Sequence, residues 1–114
     1  MSQDQLTCAI VGYGYMGEIR RRIVESRSDL KLEWICEPAD VGINSSGGVS
    51  VTKEVKNILE SDVDLVFICT PNNLIPALTI KCLDLKKHVF CEKPPGRTVN
   101  DVRRMQEAEK RNPS

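Results

Sequence analysis

Gly12, Gly14 and Gly17 stand within the run Gly12-Tyr13-Gly14-Tyr15-Met16-Gly17, directly after the apolar stretch 6–11, and an acid, Glu37, lies 20 positions beyond Gly17. These residue types at this spacing can hold a diphosphate and a ribose. Gly12 permits a tight turn out of a strand, Gly14 lets backbone come up to a diphosphate, and Gly17 lets the following helix lie close on the strand. The unpaired N–H groups of a helix starting near Tyr15, at its positive dipole end, then face the anion. A carboxylate at position 37 accepts hydrogen bonds from adenosine ribose hydroxyls and repels a 2′-phosphate, and Pro38-Ala39-Asp40 adds no arginine to hold one. NAD is therefore expected ahead of NADP. The same glycine spacing also serves methyltransferases and purely structural strand-turn-helix units, and a glutamate at a strand end can simply be solvated.

Such residues need elements that bring them together. Residues 30–36 read as a second strand ending at Glu37, and the Gly- and Ser-rich stretch 41–48 as a mobile surface loop leading to a short strand at 49–51. Thr52 is placed to cap a helix over 53–60. The nearly continuous apolar run 63–69 predicts a strand buried on both faces, at the centre of a sheet beside the first strand. Asn72 or Asn73 is expected to cap a third helix with Pro76 in its first turn, reaching about Leu85; 89–91 is a fifth strand, and a last helix spans about 99–109. Strands alternating with helices predict an α/β fold: a doubly wound, Rossmann-like parallel sheet of five strands in the order 3-2-1-4-5. Ligands of such sheets bind at the strands' carboxyl ends, an edge that gathers Gly12 to Gly17, Glu37, Thr70 to Asn73 and Glu92 to Pro94.

At 114 residues the chain is expected to form one dinucleotide-binding domain over 1–114. Sixteen basic residues balance sixteen acidic ones and aromatic content is 4%, which argues against nucleic acid and membrane as partners. No signal peptide or membrane span is read in the sequence. Five cysteines, Cys8, Cys36, Cys69, Cys82 and Cys91, are odd in number and form no Cys-x-x-Cys pair, so small apolar core residues in a reducing cytoplasm are expected, with no metal. Asn44-Ser45-Ser46 matches a glycosylation acceptor that a cytoplasmic chain would not use.

Two further blocks, Cys69-Thr70-Pro71-Asn72-Asn73 and Lys87-His88-Val89-Phe90-Cys91-Glu92-Lys93-Pro94, together with the glycine run, resemble the amino-terminal part of the glucose-fructose oxidoreductase, inositol dehydrogenase and MocA family. The resemblance implies an NAD(P)-dependent oxidoreductase that moves hydride between nicotinamide and a sugar-like or nucleotide-sugar substrate. It makes Lys93 the active-site lysine, oriented by Glu92 and Pro94; a point charge with three donors suits the orientation and deprotonation of a substrate hydroxyl. Thr70, Pro71 and Asn72 would pass along the nicotinamide ribose. The resemblance also leaves His88, the single histidine, at a structural position that introduces the fifth strand.

The chain departs from the family pattern at Ile75, where histidine is frequent, at Lys86, where glycine is usual after the third helix, and at Pro95-Gly96-Arg97, which replaces a Leu-Ala run. It stops where the family would begin a sixth strand and a second, substrate-binding domain, so it is expected to be a truncated piece, a proteolytic product or a natural remnant of a longer oxidoreductase. Alone it should bind cofactor weakly and turn over nothing. Self-association beside the fifth strand, giving a homo-oligomer, is a further expectation; a non-catalytic nucleotide-binding or interaction module is the alternative.

Overall fold

The computed structural model describes residues 5–71, 73–91 and 99–112. Its strands are β1 (Leu6–Val11), β2 (Leu30–Cys36), β3 (Ser50–Thr52), β4 (Leu65–Ile68) and β5 (His88–Cys91); its helices are α1 (Tyr15–Glu25), α2 (Val55–Leu59), α3 (Ile75–Asp84) and α4 (Val99–Arg111). All strand pairs are parallel and the order is β3-β2-β1-β4-β5, as the alternation of elements predicts.

Side chains on a strand alternate between faces, and β1 shows the consequence. Cys8 and Ile10 enter one core with Leu32, Ile35, Phe67 and Val24 of α1, whereas Ala9 and Val11 enter the other with Val66, Ile68, Ile58 of α2, Ile75 and Cys82 of α3, and Met105 of α4. One helix therefore covers one face and three cover the other. Both faces being covered is why β4, and β1 from Cys8 to Val11, read as unbroken apolar runs.

Boundaries differ from expectation where local hydrogen bonding decides. Thr52 ends β3 instead of capping α2: its hydroxyl accepts the N–H of Glu54 at 3.1 Å and the side-chain amide of Asn57 at 2.6 Å. Glu54 takes the N-cap position with no side-chain cap bond, and α2 is shortened to five residues. At α3 the N-cap is Leu74, with Pro76 in the first turn; Asn73 is exposed ahead of it and Asn72 lies outside the described residues. The 41–48 stretch contains a single 3-10 turn, Ser46–Gly48, and α4 runs two residues beyond the expected 109.

Lys86 has φ 66°, and among the described residues no other non-glycine residue has positive φ. A side chain is strained there. Its ammonium donates to Asn112 Oδ1, and Asn112 Nδ2 in turn donates to Asp84 Oδ1 at 2.7 Å and to the Ala108 carbonyl at 3.0 Å, so the strained turn also ties the end of α3 to the end of α4. Lys87, 7% exposed, donates to the carbonyls of Ser61 and Val63 at the opposite edge from the crevice described next.

Candidate functional site

The ends of β1, β2 and β4 are knitted together by backbone: Gly12 N–H donates to the Cys36 carbonyl at 2.8 Å, and Cys69 N–H to the Val11 carbonyl at 2.7 Å. Gly12 turns the chain away with φ 92°, and a Cβ built on it would stand 2.7 Å from the Cys69 carbonyl oxygen. A Cβ on Gly17 would stand 2.3 Å from the Gly12 carbonyl oxygen, so α1 rests on the turn itself. Gly14 is different: no atom of the described residues lies within 4 Å of its Cβ position. The fold does not need a glycine there, and the space in front of it is open. Gly14 is the N-cap of α1 without any side-chain cap bond, so no cap side chain covers the helix's leading N–H groups.

Glu37 stands beside this turn. Its Oε1 accepts the N–H of Tyr13 at 2.7 Å and its Oε2 the N–H of Ala39 at 2.9 Å, while its own N–H donates to the Thr52 carbonyl at 2.9 Å. A carboxylate offers about four lone-pair sites, so about two remain for hydroxyl donors.

Between these parts lies a crevice of ≈ 650 Å³. The glycine turn contributes Gly12, Gly14, Tyr15 and Met16; the end of β2 contributes Glu37, Pro38 and Ala39; the segment after β4 contributes Cys69, Thr70, Pro71 and Leu74. Thr70 Oγ1 is buried and has no hydrogen-bond partner among the described residues. An orphaned buried hydroxyl is unfavourable, and a polar ligand in the crevice would satisfy it once the Thr70 side chain turns outward. Behind Pro38, Thr70 and Leu74 the crevice continues into a second hollow of ≈ 450 Å³, walled by Cys36, Val55, Ala77 and Leu78 and edged by Lys53, Lys56 and Lys81. An anion-accepting helix start, a ribose-accepting carboxylate and an adjoining apolar slot together suit a dinucleotide.

Of the residues expected from sequence, Gly12, Gly14, Tyr15, Met16, Glu37, Thr70 and Pro71 line this crevice, with Gly17 buried directly beneath. The Tyr13 side chain does not: its ring packs against the core on the α1 face, its hydroxyl accepts from Arg21, and its N–H is engaged by Glu37. Asn72, Glu92, Lys93 and Pro94 lie outside the described residues. His88 is exposed at the amino end of β5, away from the crevice, with its N–H donating to the Asp64 carbonyl at 2.8 Å. Ile75, at the histidine-frequent position, is 2% exposed and spent on the core. Pro38, Ala39, Cys69 and Leu74 were not anticipated; the first two follow Glu37 directly, whereas Leu74 gives no signal in sequence.

Burial pushes the Cys8, Cys36 and Cys82 thiols up from 9.0 to about 11, and all five cysteines are free. Among the described residues no three His, Cys, Asp or Glu side chains gather as a metal site, and no helix is long and apolar enough to cross a membrane.

Residues 6–114 match the model of an oxidoreductase family with an NAD-binding Rossmann fold. A myo-inositol 2-dehydrogenase of Thermotoga maritima is 31% identical over 107 residues, covering 90% of this chain and 32% of that protein. Among solved structures, a probable dehydrogenase of Thermotoga maritima superposes with TM-score 0.86 at 30% identity, over 94% of this chain and 34% of that one. The WlbA dehydrogenase of Chromobacterium violaceum, solved with NADH and UDP-GlcNAcA, superposes with TM-score 0.88 over 98% of this chain and 34% of that one; at 23% identity it speaks to the fold alone. The chain thus spans about a third of the length of these proteins.

Proposed function

The chain belongs to this oxidoreductase family, and from that premise we propose that it is the cofactor-binding domain of an NAD-dependent dehydrogenase acting on a sugar-like or nucleotide-sugar substrate. Support for the cofactor comes above all from the orphaned Thr70 hydroxyl, buried in a crevice whose other walls are the glycine turn and Glu37. The open space at Gly14 and the leading N–H groups of α1 receive the diphosphate, and Glu37 accepts the adenosine ribose hydroxyls. Thr70, Pro71 and Asn72 flank the nicotinamide ribose. Glu37 carries the preference for NAD over NADP by repelling a 2′-phosphate.

When bound, NAD supplies the hydride acceptor. Lys93 is the residue proposed to orient the substrate hydroxyl and favour loss of its proton, with Glu92 and Pro94 setting its direction. The partners proposed are a small hydroxylated substrate, held by parts that the relatives carry in their remaining length, and further copies of the chain along the β5 edge. A cytoplasmic, reducing location suits the five free thiols.

The experiment is titration of the chain with NADH, followed by nicotinamide fluorescence and repeated with Gly14→Ala. Saturable binding that the substitution weakens supports the site; binding unaffected by it places NADH elsewhere and overturns the reading.

A further inference from the structure

A guanidinium on the buried face of a helix needs a reason, because removing that charge from water is unfavourable unless it is well paired. Arg21 is such a residue: it sits between Gly17 and Val24 on the face of α1 turned to the sheet and is 7% exposed. Its Nε donates to Glu25 Oε2 at 3.0 Å, its Nη1 reaches the Tyr13 hydroxyl at 3.4 Å, and its Nη2 the Ser46 carbonyl at 3.5 Å. The ion pair with Glu25 is half solvent-exposed on the carboxylate side and would form equally well on the outside of the helix. The two longer contacts are what the inward position provides.

Tyr13 is flanked by Gly12 and Gly14, whose backbones are free to adopt many conformations, so local sterics do little to set the direction of the Tyr13 peptide. The ring sets it instead. It packs against the core of Cys8, Ile10, Val24 and Leu32, with its hydroxyl end against Arg21. The N–H held in this way donates to Glu37 Oε1 at 2.7 Å.

We propose that Arg21 is a positioning residue for the nucleotide site, acting through Tyr13 to hold the peptide that orients the Glu37 carboxylate toward the ribose. The inference rests on the reading of the crevice as an NAD site. With the Tyr13 ring released, Glu37 keeps only the Ala39 N–H and must be ordered by the ligand, which lowers affinity.

The test uses the full chain, NADH as the probe, and the variants Tyr13→Phe and Arg21→Met, each made in the wild-type and in the Glu37→Ala background. Tyr13→Phe removes only the oxygen that meets Arg21 and so frees the ring's anchored end, which keeps the test informative if Arg21→Met folds poorly. Expected is a loss of about three- to tenfold in NADH affinity for each variant in the wild-type background and less than about twofold beside Glu37→Ala. Glu25→Gln, which removes only the ion pair, is expected to leave affinity unchanged. The Tyr13 amide proton resonance should move in Arg21→Met and stay in place in Glu25→Gln, a readout that bulk support of α1 would not shift. Equal losses in both backgrounds, or no loss in the wild-type background while NADH binds, overturn the role of Arg21 alone. Failure of the wild-type chain to bind NADH overturns the nucleotide reading and this inference with it.

Discussion

Glu37 Oε1 accepts the backbone N–H of Tyr13 at 2.7 Å, which makes the carboxylate at the end of β2 and the turn after β1 a single unit before any ligand arrives. Charge-assisted hydrogen bonds of this kind are short and strong. A ribose entering the crevice would meet an acceptor already oriented by protein, and the entropy of ordering Glu37 would fall on folding instead of on binding.

The three glycines separate into two kinds, and substitution distinguishes them. Gly12→Ala adds a Cβ 2.7 Å from a backbone oxygen at φ 92°, and Gly17→Ala adds one 2.3 Å from another. Each is expected to destabilise the fold by about 2 kcal/mol or more, lowering the melting temperature by roughly 10 °C. Gly14→Ala meets nothing and should melt as wild type while losing NADH affinity. Equal thermal losses at all three positions would contradict this division.

Thr70→Val exchanges a buried, partnerless hydroxyl for a methyl group. Its stability should be unchanged or higher by about 1 kcal/mol, because nothing bonded is lost. If the hydroxyl serves the nucleotide, the same variant binds NADH several-fold more weakly. A variant that is both less stable and unaltered in binding would place the Thr70 hydroxyl in the fold's own bonding.

At the far edge, Asn112 joins Lys86, Asp84 and Ala108. Asn112→Ala is expected to cost about 1 kcal/mol by removing its bonds to Lys86 and to the Ala108 carbonyl, while Asp84 keeps its ion pair with Arg111. Lys86→Gly relieves the φ 66° strain but gives up its bond to Asn112, so in wild type the two effects offset. In the Asn112→Ala background the bond is already gone, and Lys86→Gly should stabilise by about 1 kcal/mol. Denaturant melts of the four proteins measure this coupling directly.

The buried thiols predict a pH dependence. Cys8, Cys36 and Cys82 each titrate near 11 in the fold and at 9.0 when exposed, because burial disfavours the thiolate. Between these values the folded state holds more protons than the unfolded one, so stability is full below pH 9 and declines toward pH 11. Melts at pH 8 and pH 10.5 should show this loss, and Cys36→Ala should reduce it. Alkylation at pH 8 should spare these three cysteines in the folded chain.

Sheet order and the burial of the fourth strand on both faces were legible because apolar runs and glycine positions respond to burial, which the sequence records directly. The unusual backbone at Lys86 was legible too, as a side chain standing where a helix end calls for glycine. Helix starts were less so: a hydroxyl such as that of Thr52 can serve a cap or a turn, and only the placement of Asn57 decided between them. The direction of Tyr13 could not be read, since a residue between two glycines can send its ring to either side. Arg21 left one trace, a charge in line with Gly17 and Val24 on the inward face of α1, and that trace is visible only once the helix's inward face is known.

The most direct measurement is a paired titration of the chain with NADH and NADPH, followed by nicotinamide fluorescence, for wild type and Glu37→Ala. The predicted result is tighter binding of NADH than of NADPH, with the NADH affinity falling about tenfold or more in the variant as charge-assisted ribose bonds worth about 1.5–3 kcal/mol are lost. Binding of neither nucleotide, or NADH binding that Glu37→Ala leaves intact, would contradict the assignment of this crevice as an NAD site.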